Sequence, residues 1–227
     1  MPAEPPARLL AGASGFSFPT WRPGFYPSGT RPADFLRVYS ERLPTVELNT
    51  SYYRLPAAAN LERWAATVPD GFRFAVKAPM SVSVWGRMQD VPTLCERVRA
   101  LGDRLGPILV RLHDKRQRDD AFVAAILDAM DDDLQVALDL RHESWDGIEP
   151  ELERWNAVRV NQLGAGAPFR YLRLREPPYD DDQLRDWAAR IRPMLDAGIA
   201  VHCYFRHEDA PTAPAYAARL LELAGGN

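Results

Sequence analysis

The sequence predicts an α/β fold of the TIM type, a (β/α)8 barrel, in a single domain that spans residues 1–227. Two observations predict this fold. Eight apolar or alternating runs have the composition of β-strands, and segments with helical spacing separate most of them. Eight such strand and helix units in a chain of this length fit a closed barrel better than an open sheet. An open, doubly wound sheet is the alternative architecture.

The predicted elements follow one another along the chain. The strands are the runs RLLAGA, TVELN, FRFAVK, PILVRL, QVALDL, AVRVN, RYLRLR and GIAVHCYF. Helices are predicted over residues 32–43, 59–67, 92–105, 119–130, 180–195 and 211–223. Only QLGAGAPF lies between the sixth and seventh strands, which is too short for a crossover helix. One helix is therefore expected to be missing or minimal there.

Composition excludes several classes of protein. The 28 basic and 31 acidic residues give a net charge of −3, so there is no global attraction to nucleic acid or to anionic membranes. Cys95 and Cys203 lack metal-binding spacing and do not form a disulfide framework, which favours a reducing compartment. No apolar run reaches the length of a signal peptide or of a membrane span. We expect a cytoplasmic protein, and the sequence leaves its oligomeric state open.

Alternate residues of a strand point to opposite faces, so each predicted strand presents two sets of side chains. The set that faces the helices is apolar. The set that faces the barrel axis is mostly polar and comprises Gly12, Ser14, Glu47, Asn49, Arg73, Ala75, Lys77, Arg111, His113, Ala137, Asp139, Arg141, Arg159, Asn161, Arg173, Arg175, His202, Tyr204 and Arg206. Buried charges cost roughly several kcal/mol unless they are paired or solvated, so we expect these near the open C-terminal rim. Arg73 and Arg159 have an alternative interpretation, as salt-bridge partners at the bottom of the barrel.

The charges on this inward set predict the kind of ligand. Glu47 and Asp139 are its two acids, and they face Lys77 and several arginines. Guanidinium groups offer paired donors that match phosphate or carboxylate. The sequence therefore predicts a cationic pocket that binds a small anionic molecule.

Two motifs carry a family resemblance. They are GASGFSFPTWRPGFYP at residues 12–27 and VELNTSYYRLP at residues 46–56, and the runs FRFAVK and LRHESW and the pair Tyr204 and Phe205 agree with them. On these motifs the whole chain resembles the domain of unknown function 72 family, also called YecE-like. The resemblance implies a β/α barrel without an established activity. The resemblance carries over best for Ser14, Trp21, Glu47, Asn49, Tyr53, Arg54, Lys77, Arg141, His142 and Trp145. Strands four, seven and eight depart from the family pattern, and Asp139 stands where the family usually has Glu.

Four residues are candidates for catalysis. Glu47 and Lys77 are expected on neighbouring strands, where they could act as base and electrophile, Lys77 could form a Schiff base, or the two could form a structural ion pair. Asp139 is the candidate for a second acid. His142 follows strand five and is either a proton shuttle or the cap of a loop.

The remaining candidates would bind the substrate. They are Ser14, Trp21, Asn49, Tyr53, Arg54, Arg141, Trp145, Arg173 and Tyr204. Loop aromatics among them either stack on a ligand or pack on one another, and packing is favoured for Phe25 and Tyr26. No cofactor is predicted; a divalent metal held by Glu47, Asp139 and His202 is the alternative, although no HxH or HExxH spacing supports it.

These observations predict an enzyme that acts on a small anionic, sugar-like substrate bearing a phosphate or carboxylate. Two alternatives remain. The first is a nucleic-acid-binding or phosphodiesterase barrel, whose affinity would fall steeply with salt concentration. The second is a binding protein without catalytic activity.

Overall fold

The computed structural model describes residues 8–164 and 168–225 and contains eight parallel strands within them. The strands are β1 Leu9–Ala13, β2 Thr45–Leu48, β3 Arg73–Lys77, β4 Leu105–Arg111, β5 Val136–Asp139, β6 Ala157–Arg159, β7 Phe169–Leu174 and β8 Ala200–Phe205. Hydrogen-bonded neighbours follow the order β6-β5-β4-β3-β2-β1-β8-β7. This is the strand order of a (β/α)8 barrel, so the predicted fold class is confirmed.

Helices connect most of these strands. They are α1 Phe35–Ser40, α2 Ala58–Thr67, α3 Met80–Ser83, α4 Val91–Val98, α5 Asp120–Asp128, α6 Glu149–Leu152, α7 Asp181–Asp196 and α8 Thr212–Leu223. Each of the six predicted helices overlaps one of them, whereas α3 and α6 were missed because four residues are too few to show a helical period. Within the ranges 8–164 and 168–225, no helix is both long and apolar enough to cross a membrane.

The connection from β6 to β7 agrees with the predicted missing helix as far as it is described. Residues 160–164 and 168 contain no helix, and residues 165–167 lie outside the described part of the chain. Asn161 then makes the contacts that a strand residue would make. Its N–H donates to the carbonyl of Tyr171 (2.9 Å), and its side-chain amide both accepts from the N–H of Arg173 (2.7 Å) and donates to its carbonyl (3.3 Å).

The chain divides into two compact units, and the first comprises residues 1–46 and 161–227. In its described part, β1 pairs with β8, β8 with β7, and β1 with the start of β2. The register places Tyr204 beside Gly12 and Arg173, and Gly12 beside Thr45, so these residues share one face of the sheet. The opposite face carries buried apolar residues such as Ala11, Leu172 and Cys203, together with the buried Arg170.

The second unit comprises residues 47–160 and contains the rest of β2 and β3 to β6. Lys77 lies opposite Leu109, Leu109 opposite Ala137, and Arg111 opposite Asp139. Paired residues of parallel strands point to the same face, so Lys77, Arg111 and Asp139 share the inward face. This arrangement agrees with the inward set predicted for β3 to β5.

The face predicted for β6 is wrong. Val158, not Arg159, is paired with the inward Ala137, and Arg159 is paired with Leu138 on the opposite face. The alternation of residues along a strand separates its two faces but does not say which of them is inward, since the register with the neighbouring strand decides that. Arg159 is also the last residue of β6, so it does not lie at the bottom of the barrel.

Candidate functional site

The carboxyl ends of β2 and β3 place Glu47, Asn49 and Lys77 in the second unit. Glu47 is fully buried, and the amide of Asn49 donates a hydrogen bond to its Oε1 (3.1 Å). The Ser51 hydroxyl lies 2.7 Å from the carbonyls of both Leu48 and Lys77. One side chain therefore ties the end of β2 to the end of β3. The effect is to fix the backbone from which the Glu47 carboxylate and the Lys77 ammonium extend.

Lys77 is the buried amine of this unit. Its side chain is held with Nζ 3.6 Å from the centroid of the Tyr52 ring, close enough for a cation–π interaction. Tyr52 in turn packs edge-on against Tyr53 at 5.3 Å, and Tyr53 is 82% exposed. Arg54, the next residue, is also exposed. An accessible aromatic ring thus lies one tyrosine away from the buried ammonium.

The ends of β4 and β5 hold two arginines and two aspartates. Arg141 donates to both carboxylate oxygens of the buried Asp139, at 3.0 and 3.3 Å, and Arg111 approaches the same carboxylate at 3.7 Å. Asp114 contacts both guanidinium groups, at 2.7 Å from Arg111 and 3.6 Å from Arg141. We call Arg111, Asp114, Asp139 and Arg141 the ion-pair cluster. Its formal charges cancel, so these arginines attract an external anion less than the sequence predicts.

His142 and Trp145 are engaged with their own loop. The Nδ1 of His142 accepts the N–H of Ser144 (3.1 Å) and caps the short 3-10 helix Glu143–Trp145. The indole of Trp145 is fully buried and donates to the carbonyl of Arg116 (2.8 Å). Arg159 supports the same segment through Asp146 (3.0 Å) and Glu149 (3.3 Å). The loop-cap interpretation of His142 accounts for these contacts, and Trp145 has no open face for stacking.

Ser14 lies at the end of β1 in the first unit and contacts a residue that the sequence did not single out. Its Oγ is 3.1 Å from Nδ1 of His207 and accepts the N–H of the same residue at 3.1 Å. The imidazole stacks on Phe18 at 4.7 Å. Ser14 itself is buried, whereas His207 is exposed. The serine therefore orients the imidazole of an exposed residue.

Trp21 belongs to an aromatic layer next to this pair. Its indole is fully buried, donates to the carbonyl of Glu208 (2.9 Å), and packs on Phe25 and Tyr26 at 5.8 and 6.1 Å. Phe25 and Tyr26 are buried as well, as favoured from the sequence. Burial raises the pKa of Tyr26 above its usual range, so its hydroxyl stays protonated and donates to the carbonyl of Phe16.

Tyr204 and Arg173 lie side by side on the inward face of the first unit. The hydroxyl of Tyr204 is 2.8 Å from Oγ1 of Thr45, and both Tyr204 and Arg173 are almost fully buried. Tyr39 reaches the same strands from α1: its hydroxyl accepts the N–H of Ala13 (2.8 Å) and donates to the carbonyl of Thr45 (2.9 Å). Burial raises the pKa of Tyr39, which keeps this bridging hydroxyl protonated.

The side chains proposed as an alternative metal site do not form one in the described residues. Across 8–164 and 168–225, no group of three or more His, Cys, Asp or Glu side chains has the arrangement needed to hold a metal ion. The carboxylates of Glu47 and Asp139 instead accept hydrogen bonds from Asn49 and Arg141.

A cavity of about 450 Å³ opens at the other ends of the strands in the second unit. Its lining includes Leu105 and Gly106 at the start of β4 and Gln135 just before β5. The Arg99 guanidinium on its wall is bound by Asp131 and Asp133, at 2.6 and 2.7 Å. Barrel enzymes act at the carboxyl ends of their strands, and residues at the amino ends serve stability. We therefore place the candidate site at Glu47 and Lys77 and not in this cavity.

The comparisons with known proteins agree with the fold and the motifs. The family described as "Protein of unknown function DUF72" matches residues 10–227. The chain belongs to this family. A DUF72 family protein from Enterococcus faecalis V583 has a similar crystal structure, with a TM-score of 0.82 and 17% identity over 96% of each chain. One from Thermotoga maritima MSB8 gives 0.79 and 19%, over 96% of this chain and 99% of the other. At identities this low, the structural similarity shows a common fold and nothing about function.

A curated relative matches a shorter segment. The UPF0759 protein YunF of Bacillus subtilis strain 168 is 42% identical over 53 residues, which are 23% of this DUF72 chain and 19% of YunF. The chain thus matches about a fifth of that relative's length. The family description assigns no function, so membership of the DUF72 family supplies the fold and no activity.

Sequence reasoning missed three members of the DUF72 site region. The sequence did not identify Tyr52 as the partner of Lys77, Asp114 as the partner of Arg111 and Arg141, or His207 as the partner of Ser14. Ser14 and His207 are separated by 193 positions. Only the pairing of β1 with β8 brings them together, so no local signal predicts this contact.

Proposed function

We propose that this DUF72 barrel is an enzyme acting on a small anionic substrate, of sugar-like size with a phosphate or carboxylate group. The observation that carries the proposal is that the fully buried Glu47 on β2 and the buried Lys77 on β3 lie on neighbouring strands, both at carboxyl ends. In this position Glu47 is the general acid or base and Lys77 holds the anion or polarises a carbonyl.

Neighbouring side chains support these roles. Asn49 donates to Glu47 and keeps its carboxylate in one orientation. The exposed Tyr53 ring offers a face for the substrate, and Arg54 lies beside it. The arginines of the ion-pair cluster are already bound by Asp114 and Asp139, so we assign the anion to Lys77 and Arg54. This assignment needs no metal cofactor, and the two free cysteines, both buried, suit a cytoplasmic location.

Binding is tested first, by thermal shift with sugar phosphates and small carboxylates. A ligand at about 100 times its dissociation constant adds about 2.7 kcal/mol to the stability of the protein that binds it. The expected result is stabilisation of the wild type that Lys77→Met abolishes. Lys115→Met is the matched control because Lys115 is exposed and is the second of only two lysines.

Turnover is tested next with any anion that binds. Glu47→Gln keeps the size of the side chain and its bond to Asn49 but removes the proton-transfer group, so kcat should fall by about 10²-fold or more while the ligand still binds. Normal turnover by Glu47→Gln refutes the role of Glu47. Stabilisation by an anion that Lys77→Met leaves unchanged refutes the role of Lys77. Binding restricted to oligonucleotides at low salt favours the nucleic-acid alternative.

A further inference from the structure

Lys77 stands out chemically in a chain that otherwise uses arginine. The sequence has 28 basic residues of the Lys and Arg types, and only Lys77 and Lys115 are lysines. Arginine is the better residue for paired recognition of phosphate or carboxylate, and it stays protonated. Lysine alone of the two can lose a proton and act as a nucleophile. A lysine at the buried position therefore indicates chemistry beyond anion binding.

We propose that Lys77 forms a covalent iminium with its substrate, which is a small aldehyde or ketone that also carries a phosphate or carboxylate. The inference rests on the proposed function and names the substrate class of that site. Lys77 is the last residue of β3, and the residue is 8% exposed. The amine lies at the end of the barrel where strand residues act on substrates, and burial excludes the water that hydrolyses an iminium.

The Tyr52 ring stabilises the charge that this reaction keeps on the nitrogen. Nζ lies 3.6 Å from the ring centroid, so the negative face of the ring is directed at the positive nitrogen. The ammonium and the iminium both carry one positive charge at this atom. The ring therefore attracts the nitrogen before and after the covalent step.

The step balances with groups in the second unit. Glu47 takes one proton from the Lys77 ammonium, and the free amine forms a C–N bond to the carbonyl carbon. The carbonyl oxygen leaves as water, taking one proton from the attacking nitrogen and one returned by Glu47. The net change is ammonium plus carbonyl compound to iminium plus water, with no oxidant or reductant. Glu47 is then a carboxylate again and can remove a proton from the carbon next to the iminium.

The experiment is reductive trapping of the full-length protein. Pyruvate, glyoxylate and dihydroxyacetone phosphate are the probes, sodium cyanoborohydride reduces any iminium to a stable secondary amine, and peptide mass spectrometry locates the adduct. We expect modification of Lys77 at a rate at least tenfold above that of Lys115, which measures unselective labelling of an exposed lysine in the same molecule. Glu47→Gln should slow labelling at Lys77 and leave Lys115 unchanged.

The outcomes separate this inference from the proposed function. Selective labelling of Lys77 supports the iminium, and because it is read within the wild-type protein it does not depend on whether a variant folds. Labelling of Lys115 alone, or of both lysines at equal rates, overturns the iminium. A third outcome is an anion that stabilises the wild type but not Lys77→Met, while no adduct forms at Lys77. This result supports the proposed function and overturns only the iminium.

Discussion

Ser14 Oγ lies 3.1 Å from His207 Nδ1 and accepts the backbone N–H of His207 at the same distance. A backbone N–H can only donate, so one lone pair of the serine oxygen is occupied. The hydroxyl proton is then available for Nδ1 of a neutral imidazole. If the hydroxyl donates to Nδ1, the ring proton of neutral His207 is on Nε2, and we predict this tautomer.

The first prediction concerns this pair. Ser14→Ala removes both hydrogen bonds, so we expect the free energy of unfolding to fall by about 1–2 kcal/mol. The ¹⁵N shifts of His207 should indicate the Nε2–H tautomer in the wild type and move towards a mixture of tautomers in the variant. Urea unfolding and histidine NMR measure the two effects.

Ser17→Ala is the control for Ser14, because Ser17 is an exposed serine in the same loop. It should change neither the stability nor the His207 shifts. An Nδ1–H tautomer in the wild-type protein contradicts the assigned hydrogen bond.

A second prediction comes from the close approach of β1 and β2. A Cβ on Gly12 would lie 2.0 Å from the Thr45 carbonyl oxygen and 3.0 Å from the Tyr39 hydroxyl. Backbone and a buried tyrosine cannot yield to such a contact, so Gly12→Ala should cost about 3 kcal/mol or more. Gly29→Ala, where a Cβ meets nothing within 4 Å, is the matched control and should be tolerated. Thermal and urea unfolding of both variants decide the point.

The ion-pair cluster gives a third prediction. Asp139→Asn removes one of two negative charges that face Arg111 and Arg141, leaving the cluster with an excess positive charge. Two opposite charges about 4 Å apart attract each other by about 1–4 kcal/mol, depending on how strongly water screens them. We therefore expect the affinity for inorganic phosphate to rise roughly tenfold at low salt. Calorimetric titration measures it. Asp120→Asn, which releases Arg118 on the surface, should have no such effect.

The same titration distinguishes two roles of Asp139. If its main role is to neutralise the arginines, phosphate affinity rises as described. Unchanged or weaker phosphate binding by Asp139→Asn contradicts that role and favours the interpretation of Asp139 as a second acid.

Much of the fold follows from local sequence, because strand period, helical period and length are properties of short segments. Glu47 and Lys77 could be placed at strand ends for the same reason. The face on which Arg159 lies could not be predicted, because it depends on which residue of β5 is paired with Arg159. The contacts of Ser14 with His207 and of Arg111 with Asp139 join distant segments, and the neutrality of the ion-pair cluster depends on side-chain reach across strands. Those features come from tertiary pairing.

The fourth prediction concerns stability in acid. Asp181 at the start of α7 accepts two hydrogen bonds from Arg219 of α8, at 2.5 and 3.1 Å, and is paired with Arg185. The hydrogen bonds from Arg219 are the main cause that lowers the pKa of Asp181 below its ordinary value of 3.8. The folded state therefore holds this proton less tightly than the unfolded chain. Its contribution to stability is fully present above about pH 3.8 and is lost as the pH falls through the lowered pKa.

Asp181→Asn removes this contribution. We expect the variant to be less stable than the wild type near neutral pH, and the difference between them to shrink as the pH falls below 3.8. Urea unfolding between pH 7 and pH 2 measures the difference. Asp186→Asn on the same helix is the control, because Asp186 is exposed and forms no ion pair within residues 8–164 and 168–225. A difference for Asp181→Asn that stays constant with pH would show that the carboxylate acts through something other than its charge.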